Sequence, residues 1–284
     1  MTMNFIVQSP ALTAEHVEML AALAQAQGVH RLSACAARLM DVATDTQARA
    51  EVQAYAQAHS IDAALVPAGR ALSSCKLLAM DMDSTLINIE CIDELADLAG
   101  KKRDVSAITE AAMRGEITDF ADSLRRRVKL LEGLPVAALD TVYAERLRLN
   151  PGAETLVASA QAAGIKVLLV SGGFTFFTSR LKARLGLDAA HANELVVENG
   201  RLTGEVEGRI LDAAAKQAYV LEMARQLSAD REQIIAIGDG ANDLKMLGEA
   251  GWSVAYRAKP VVREQTRYAL NVTGLDGVLN WFEH

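Results

Sequence analysis

The chain has 284 residues, of which 51% are hydrophobic, and it carries a formal net charge of −7. Because one compact core rarely serves a chain of this length, two or three structural units are predicted. The acidic balance argues against a nucleic-acid surface, which needs a basic patch, and no apolar run approaches the roughly eighteen residues of a membrane span.

The N-terminus and the cysteines together indicate a compartment. The first ten residues, MTMNFIVQSP, lack the basic region and apolar core of a secretory signal. The three cysteines, Cys35, Cys75 and Cys91, are odd in number and form no Cys-x-x-Cys pair. Free thiols without a zinc site are typical of a reducing environment, so we expect a cytoplasmic protein.

Residues 1–72 are predicted to form a separate domain. Its pattern reads strand, helix, strand, strand, helix, strand, with the segments NFIVQS, a helix from Thr13, VHRLSA, AARLMDV, a helix over Ala48–His59, and IDAALVP. That order is the ferredoxin-like arrangement. The segment from Pro67 to Ser74 is the predicted linker.

This domain resembles the ACT-type regulatory domains of amino-acid enzymes, which bind a small effector near the first turn. Here that turn is Ser9-Pro10-Ala11, without the glycine that lets a ligand approach the backbone closely. Effector binding therefore stays one interpretation. Subunit contact in a homodimer and plain packing are the others.

The stretch Lys76 to Ile87, KLLAMDMDSTLI, predicts a buried strand that ends in two aspartates. Asp81 and Asp83 are two residues apart, so on an extended chain they point the same way. An isolated Asp-x-Asp pair is usually a turn or a helix cap. At the carboxyl end of a parallel strand, however, Asp81 suits metal binding, base catalysis or nucleophilic attack, and a second carboxylate favours the last, with Asp83 moving the proton.

Residues 88–150 have helical periodicity and are too long for an ordinary crossover between strands, so they predict a helical cap inserted in the second domain. The predicted helices are NIECIDELADLAG, DVSAITEAAMRG and TDFADSLRRRVKLLEG. Glu90 opens the first of these, either as a substrate ligand or simply as a complement to the helix dipole.

One of three consecutive arginines is singled out by helical geometry. At about 100° per residue, Arg127 lies about 20° from Phe120 on the apolar stripe of its helix, whereas Arg125 and Arg126 point away. A guanidinium beside an apolar stripe suits a substrate carboxylate. A salt bridge or a side chain reaching for solvent is the competing interpretation.

A second strand, KVLLV, is followed by Ser171, Gly172 and Gly173, and then by a predicted helix over Phe174–Leu185. A hydroxyl, uncovered backbone amides and a helix N-terminus all favour an anion, although the same residues also suit a plain turn. Asn199-Gly200 then predicts a hairpin.

A third strand, IIAIG, leads to Asp239, Asn242 and Asp243, whose oxygen-bearing side chains suit Mg²⁺ shared with a phosphate. Asp243 is also a plausible helix cap on sequence grounds. Lys216, one turn into a helix that starts near Asp212, is either a solvated lysine or a cation that balances the phosphate and Asp81.

In this order the motifs DMDSTLI, VSGGF and GDGAND resemble the haloacid-dehalogenase superfamily, and more closely its phosphoserine phosphatases, over about residues 75–284. The resemblance implies Asp81 as nucleophile, Asp83 as acid and base, and Ser171, Gly172, Lys216 and Asn242 around the phosphate. It further implies Mg²⁺ on Asp81, the Asp83 carbonyl and Asp239, with Asp243 in support. Asp83 favours a phosphatase, because the dehalogenase and ATPase branches lack this carboxylate.

The same resemblance assigns substrate-binding roles to residues of the predicted cap. It implies Glu90 on the substrate ammonium, Arg127 on its carboxylate, and Met113 and Phe120 as the residues that close the pocket. Closure of such a cap would also exclude water.

The sequence therefore predicts an α/β fold, with a Rossmann-like parallel sheet core (73–87 and 151–284) and an inserted helical cap (88–150), preceded by an α+β ferredoxin-like, ACT-like domain. The expected activity is Mg²⁺-dependent hydrolysis of O-phospho-L-serine through an aspartyl-phosphate. The alternatives are a phosphatase or phosphotransferase acting on another small phosphomonoester, and a non-catalytic amino-acid sensor. Neither nucleic acid nor membrane is expected as a partner.

Overall fold

The computed structural model describes residues 2–113 and 116–283. The N-terminal part contains four strands and two helices in the predicted ferredoxin-like order. These elements are β1 (Met3–Gln8), α1 (Ala14–Leu23), β2 (Gly28–Ser33), β3 (Ala36–Met40), α2 (Thr46–Ala58) and β4 (Asp62–Pro67). The strands form an antiparallel sheet in the order β2-β3-β1-β4.

Local capping sets the helix boundaries in this part. Thr13 is the N-cap of α1 and its hydroxyl accepts a hydrogen bond from the His16 amide. Helix α2 begins two residues before the predicted start, because the Asp45 side chain caps it by accepting from the Ala48 amide at 3.0 Å. Side chains from both helices and the sheet bury a separate core that includes Phe5, Leu20 and Val52.

The remaining residues build a seven-stranded sheet in the order β11-β10-β9-β5-β6-β7-β8. Its strands are β5 (Leu77–Met80), β6 (Lys166–Phe174), β7 (Ala189–Glu198), β8 (Arg201–Glu207), β9 (Ile234–Gly238), β10 (Trp252–Tyr256) and β11 (Tyr268–Leu270). The ladders are parallel except for the β7–β8 hairpin. That hairpin turns at Asn199 and Gly200, both with positive φ, as the Asn-Gly signal predicts.

The helices around this sheet include α7 (Ala153–Ala162), α8 (Thr175–Leu185), α9 (Ala213–Gln226), α10 (Leu244–Gly248) and α11 (Pro260–Gln265). Between β5 and α7 lie the helices of residues 88–150, which are α3 (Cys91–Leu98), α4 (Lys102–Met113), α5 (Phe120–Lys129) and α6 (Ala137–Thr141). On the apolar stripe of α5, Leu124 and Val128 are almost without exposure and Phe120 is partly buried. No helix among the described residues is long and apolar enough to cross a membrane.

Position in the sheet explains why three distant stretches meet. Strand β5 lies at the centre and pairs in parallel with β9 on one side and β6 on the other. The carboxyl ends of parallel strands face the same edge, so Asp81, Asp239 and Ser171 lie beside one another although up to 158 residues separate them. We call this edge, with the cap above it, the catalytic edge.

The N-terminal sheet is joined to the large sheet by buried and partly buried polar contacts that sequence periodicity did not predict. The Asp62 carboxylate accepts hydrogen bonds from the amides of Asn271, Val272 and Thr273 and from the Thr273 hydroxyl, at 2.7 to 3.2 Å. Arg38 donates to the Phe282 carbonyl at 2.7 Å. We call the contacts of Asp62 with residues 271–273 the junction.

Candidate active site

The centre of the catalytic edge is the carboxylate of Asp81, which follows β5 directly. Its Oδ1 accepts hydrogen bonds from the Met82 amide at 2.7 Å and from Lys216 Nζ at 2.7 Å. Only 5% of Asp81 is exposed. Burial and the nearby carboxylate of Asp243 raise its pKa, while Lys216 opposes that shift.

Lys216 and Asp243 lie behind Asp81 and are buried with it. Lys216 Nζ is 2.7 Å from Asp243 Oδ1 as well as from Asp81 Oδ1. Burial alone would lower the pKa of Lys216, but the two carboxylates outweigh it and hold the pKa above its usual range. The reading of Lys216 as a solvated surface lysine is therefore wrong, since it bridges two acidic side chains inside the protein.

Asp243 does not act as a simple side-chain cap of α10. Its Oδ2 accepts from the amides of Asp239 and Gly240, at 3.2 and 3.0 Å, and so closes the loop after β9. A Cβ on Gly238 would lie 2.6 Å from the Asp243 carboxyl carbon, so only glycine lets the strand approach that carboxylate.

Asp81, Asp239 and Asp243 each present one carboxylate oxygen, and the three oxygens lie within 4.8 Å of one another. Burial and Asp243 raise the pKa of Asp239 to about 7, although Thr85 donates to its Oδ1 at 3.1 Å. A cation between these crowded carboxylates would offset the repulsion that helps to raise the pKa values of Asp81 and Asp239. The all-oxygen donor set fits a hard divalent ion rather than zinc.

Asp83 is held at the entrance to the cap. Its Oδ1 accepts from the Cys91 amide, the first of α3, at 3.2 Å. Burial and the Glu90 carboxylate raise its pKa to about 7, so Asp83 can both give and take a proton near neutral pH. A Cβ on Gly173 would meet Asp83 Oδ2 at 2.6 Å, so a larger residue there would displace the Asp83 carboxylate.

Ser84, between Asp83 and the cap, has a left-handed backbone with φ of 57°. For a serine this conformation is uncommon, and surrounding contacts must hold it. The Ser84 hydroxyl donates to Glu90 Oε1 at 2.6 Å, and the buried Asn150 amide donates to the carbonyls of Thr85 and Ile87 at 2.8 and 2.9 Å. The two segments that connect core and cap are thus tied together beside the aspartates.

Ser171 is placed differently from the sequence prediction. Strand β6 continues through Ser171, Gly172 and Gly173, and α8 begins at Thr175 with Phe174 as its N-cap, so the glycines end a strand instead of opening a helix. The ladder to β7 shifts register between Val170 and Phe174. This irregularity takes residues 171–173 out of regular pairing and turns them toward the aspartates.

The cap closes over these residues and leaves a cavity of about 310 Å³. A Cβ on Gly172 would lie 3.1 Å from Phe120 Cζ, which places the cap's aromatic ring against the core. The cavity is lined by Asp81, Asp83, Glu90, Ile92, Asp93, Thr109, Phe120, Leu124, Arg127, Ser171, Gly172, Gly173, Phe174, Asp239, Gly240, Asn242 and Lys259.

The three consecutive arginines separate as their helical phase predicts. Arg127 is partly buried in the cavity wall, and its Nε donates to the Ser123 carbonyl at 3.3 Å, while Arg125 and Arg126 are exposed. Burial lowers the pKa of Arg127, against the attraction of Asp93, Glu90 and Asp83. A cationic and an acidic group therefore face one cavity.

Apart from Met113, the predicted site residues lie on this cavity or contact Asp81. Met113 ends α4, and its side chain lies outside the described part of the chain. The sequence reading did not identify Asp93 or Lys259 as lining residues. Asp93 could have been found, since it lies one turn after Glu90 on the same helix face, but Lys259 has no comparable local signal.

Comparison with known proteins gives two family matches. A model for haloacid dehalogenase-like hydrolases matches residues 78–248, and a model described as a domain of unknown function matches residues 5–52. The phosphoserine phosphatase of Polaromonas sp. is 58% identical over 212 residues, which are 73% of this chain and 90% of that protein.

Two solved structures resemble nearly the whole chain. A haloacid dehalogenase family hydrolase from Salmonella enterica serovar Typhi covers 100% of this chain and 99% of its own, with a TM-score of 0.88 and 32% identity. A probable phosphoserine phosphatase from Vibrio cholerae, in unliganded form, covers 98% of this chain and 85% of its own, with a TM-score of 0.84 and 37% identity.

Proposed function

This chain belongs to the haloacid dehalogenase-like hydrolases and is a phosphomonoester hydrolase, and we propose that its substrate is O-phospho-L-serine, which it converts to L-serine and phosphate. One observation carries the proposal: a single cavity joins the paired aspartates to an acidic Glu90 and a cationic Arg127. A zwitterionic amino acid esterified with phosphate needs both of these signs and a nucleophile. The phosphoserine phosphatase from Polaromonas, at 58% identity, supports the same substrate.

In the first step Asp81 Oδ2 attacks the phosphorus of the ester. Both hydrogen bonds described above end on Oδ1, so Oδ2 is the oxygen we assign to attack. The bond between phosphorus and the serine oxygen breaks, and Asp83 gives its proton to that oxygen. This leaves an aspartyl-phosphate on Asp81 and a carboxylate on Asp83.

In the second step Asp83 takes a proton from water, and the water oxygen attacks phosphorus. The bond between phosphorus and Asp81 breaks, which restores the free carboxylate and releases phosphate. Lys216, the Ser171 hydroxyl and the amides near Gly172 and Asn242 stabilise the charge on the phosphoryl oxygens.

We assign Mg²⁺ as the cofactor, held by Asp81, the Asp83 carbonyl and Asp239 with Asp243 in support. The crowded all-oxygen cluster supports this choice. When bound, Mg²⁺ would neutralise the phosphoryl oxygens and the carboxylates around them.

The cap recognises the amino acid. Glu90 binds the ammonium group, Arg127 binds the carboxylate, and Phe120 covers the substrate from the cap side. Removal of water by the closed cap also protects the aspartyl-phosphate until the second step.

Phosphate release from a panel of phosphorylated amino acids and sugars, with and without Mg²⁺, tests this function. We expect release from O-phospho-L-serine that EDTA abolishes and Mg²⁺ restores. Faster release from a sugar phosphate, or transfer to an added alcohol in preference to water, would contradict the assignment. No metal-dependent release from the whole panel would contradict phosphatase activity altogether.

We further propose a cytoplasmic enzyme that acts in serine biosynthesis, with its first domain at a homodimer contact. The three cysteines are free, which suits a reducing compartment. The sheet edge at β2 carries exposed apolar side chains, Val29 at 46% and, on β3 beside it, Met40 at 39%. Light scattering of the wild type and of Val29→Lys tests the contact, and equal masses at the monomer value would refute it.

A further inference from the structure

Asn193 is a buried polar residue on β7 that the proposed reaction does not use. Only 3% of it is exposed. Its Nδ2 donates to the Gly172 carbonyl at 2.8 Å, and its Oδ1 accepts from the Leu211 amide at 2.7 Å. These two partners fix which side-chain atom is nitrogen and which is oxygen, since one is an acceptor and the other a donor.

Both partners lie on segments that carry proposed phosphate ligands. Gly172 follows Ser171 directly, and Leu211 precedes Asp212, the N-cap of the helix that holds Lys216. The Lys216 amide donates to the Asp212 carbonyl at 2.9 Å, so Leu211 is attached to the first turn of that helix. Asn193 therefore bridges the end of β6 and the segment before α9, which approach the phosphate from different parts of the chain.

The irregular end of β6 explains why a side chain is needed here. Regular pairing between β6 and β7 is interrupted between Val170 and Phe174, and Asn193 lies opposite Phe174 where pairing resumes. Within that interval the Gly172 carbonyl accepts a hydrogen bond from the side-chain amide of Asn193. A buried carbonyl without such a donor would destabilise the irregular backbone.

This bond also orients the Ser171 hydroxyl. In a trans peptide the carbonyl of Gly172 and the amide of Gly173 point in opposite directions, so holding one holds the other. The Gly173 amide donates to Ser171 Oγ at 2.9 Å. Because that bond uses an acceptor site of the hydroxyl, its own hydrogen stays free to donate to a phosphate oxygen.

We infer that Asn193 is a positioning residue for phosphate binding, which acts through the Gly172–Gly173 peptide on the Ser171 hydroxyl and through Leu211 on the helix of Lys216. The inference rests on the proposed function, because it requires a phosphate in this cavity. It adds a residue far outside the three sequence motifs to those that set the phosphate site.

Asn193→Asp tests the half of the bridge that faces Gly172. The aspartate has the same shape and still accepts from Leu211, but it places an oxygen against the Gly172 carbonyl. We expect the inhibition constant for inorganic phosphate to rise about tenfold or more and kcat to fall by a similar factor, since a buried hydrogen bond is replaced by repulsion. Inhibition by L-serine should change less than about twofold, because Glu90 and Arg127 are untouched.

Asn4→Asp is the matched control. Asn4 is buried to 4% exposure in the N-terminal sheet, and its Oδ1 accepts from the Asp41 amide at 3.1 Å. We expect it to leave kcat and phosphate inhibition within about twofold of the wild type. Equal losses in the two variants would overturn the inference.

A double-mutant cycle separates positioning from general destabilisation. If Asn193 acts partly through Ser171, the loss of phosphate inhibition caused by Asn193→Asp should be several-fold smaller in a Ser171→Ala background. Fully additive losses would overturn the relay through the hydroxyl. If Asn193→Asp does not fold, Asn193→Ala takes its place in both experiments, and wild-type phosphate inhibition in it would also overturn the inference.

Measurements on the wild type distinguish a failure of the role inferred for Asn193 from a failure of the proposed function. A wild type that neither hydrolyses O-phospho-L-serine nor binds inorganic phosphate would overturn both. A wild type that does both, with Asn193→Asp unchanged, would overturn the role of Asn193 alone.

Discussion

Two aspartates with nearly equal burial, Asp62 at the junction and Asp81 at the catalytic edge, have opposite surroundings. Asp62 is 4% exposed and accepts bonds from three amides and a hydroxyl of one loop. Asp81 is 5% exposed and shares one lysine with Asp243, while a third carboxylate, Asp239, lies close by. Burial by itself therefore does not mark a functional carboxylate.

The two sites differ in the number of hydrogen-bond donors available for each negatively charged carboxylate. At the junction one carboxylate has enough donors to be satisfied by the fold itself, so its role is to join two domains. At the catalytic edge three carboxylates compete for few hydrogen-bond donors, and burial together with the Asp243 charge raises the pKa values of Asp81 and Asp239. A fold keeps such an arrangement when a ligand completes it, which is the role proposed above for a cation and a phosphoryl group.

Replacing each of the two aspartates, Asp81 and Asp62, by the isosteric asparagine should give the largest difference between the two regions. Asp81→Asn removes the proposed nucleophile, so turnover should fall by at least about a thousandfold. Asp62→Asn should keep most of the turnover and lose thermal stability. Phosphate release and thermal unfolding of both variants are the measurements. Acid quenching with labelled substrate should trap label on the wild type and not on Asp81→Asn, and label trapped on that variant would place the covalent step elsewhere.

Within the cap, alanine substitutions can compare the partly buried Arg127 with its exposed neighbour Arg126. Arg127→Ala should lower kcat/KM for O-phospho-L-serine by roughly tenfold to a hundredfold, as expected for loss of a charge-assisted hydrogen bond of about 1.5–3 kcal/mol. An uncharged aryl phosphate should be affected much less. Arg126→Ala is the control, because Arg126 is exposed and paired with Asp122 at 2.8 Å. Similar losses for both substrates in Arg127→Ala would refute its contact with the carboxylate.

At the junction the expected effect is on stability. Asp62→Ala leaves three partly buried amides without this acceptor and should reduce the free energy of unfolding by about 2–4 kcal/mol. Asp45→Ala removes a single exposed helix cap in the same domain and should cost about 1 kcal/mol. Denaturant unfolding of both variants gives the two values, and a larger loss for the exposed cap would invalidate the reading of the junction.

The smallest expected effect is a pH dependence that belongs to the catalytic edge. Asp83 and Asp239 have pKa values raised from 3.8 to about 7, so the folded, metal-free protein holds more protons than the unfolded chain between these values. Its stability should therefore fall as pH rises from about 4 to about 7. Mg²⁺ should offset this loss, so the rise in Tm on adding Mg²⁺ should be greater at pH 8 than at pH 5. An equal rise in Tm at both pH values would remove the Asp239 carboxylate from the cation site.

The sequence determined the local features of this protein. Apolar runs that end at an aspartate marked the carboxyl ends of β5 and β9, and the order of elements predicted the fold class. Helical phase alone separated Arg127 from its two neighbours. Such inferences succeed because strand alternation and helical periodicity are properties of consecutive residues.

Which distant residues come into contact depends on the tertiary structure and could not be inferred from local sequence patterns. Lys216 looks like a surface residue within its own helix, yet the fold buries it between two carboxylates. Asn193 and Asp62 carry no local signal, because their partners lie 18 or more residues away in sequence. The pairing of β6 with β7, and of the N-terminal sheet with residues 271–283, is set by packing of whole elements, which periodicity along a single segment cannot encode.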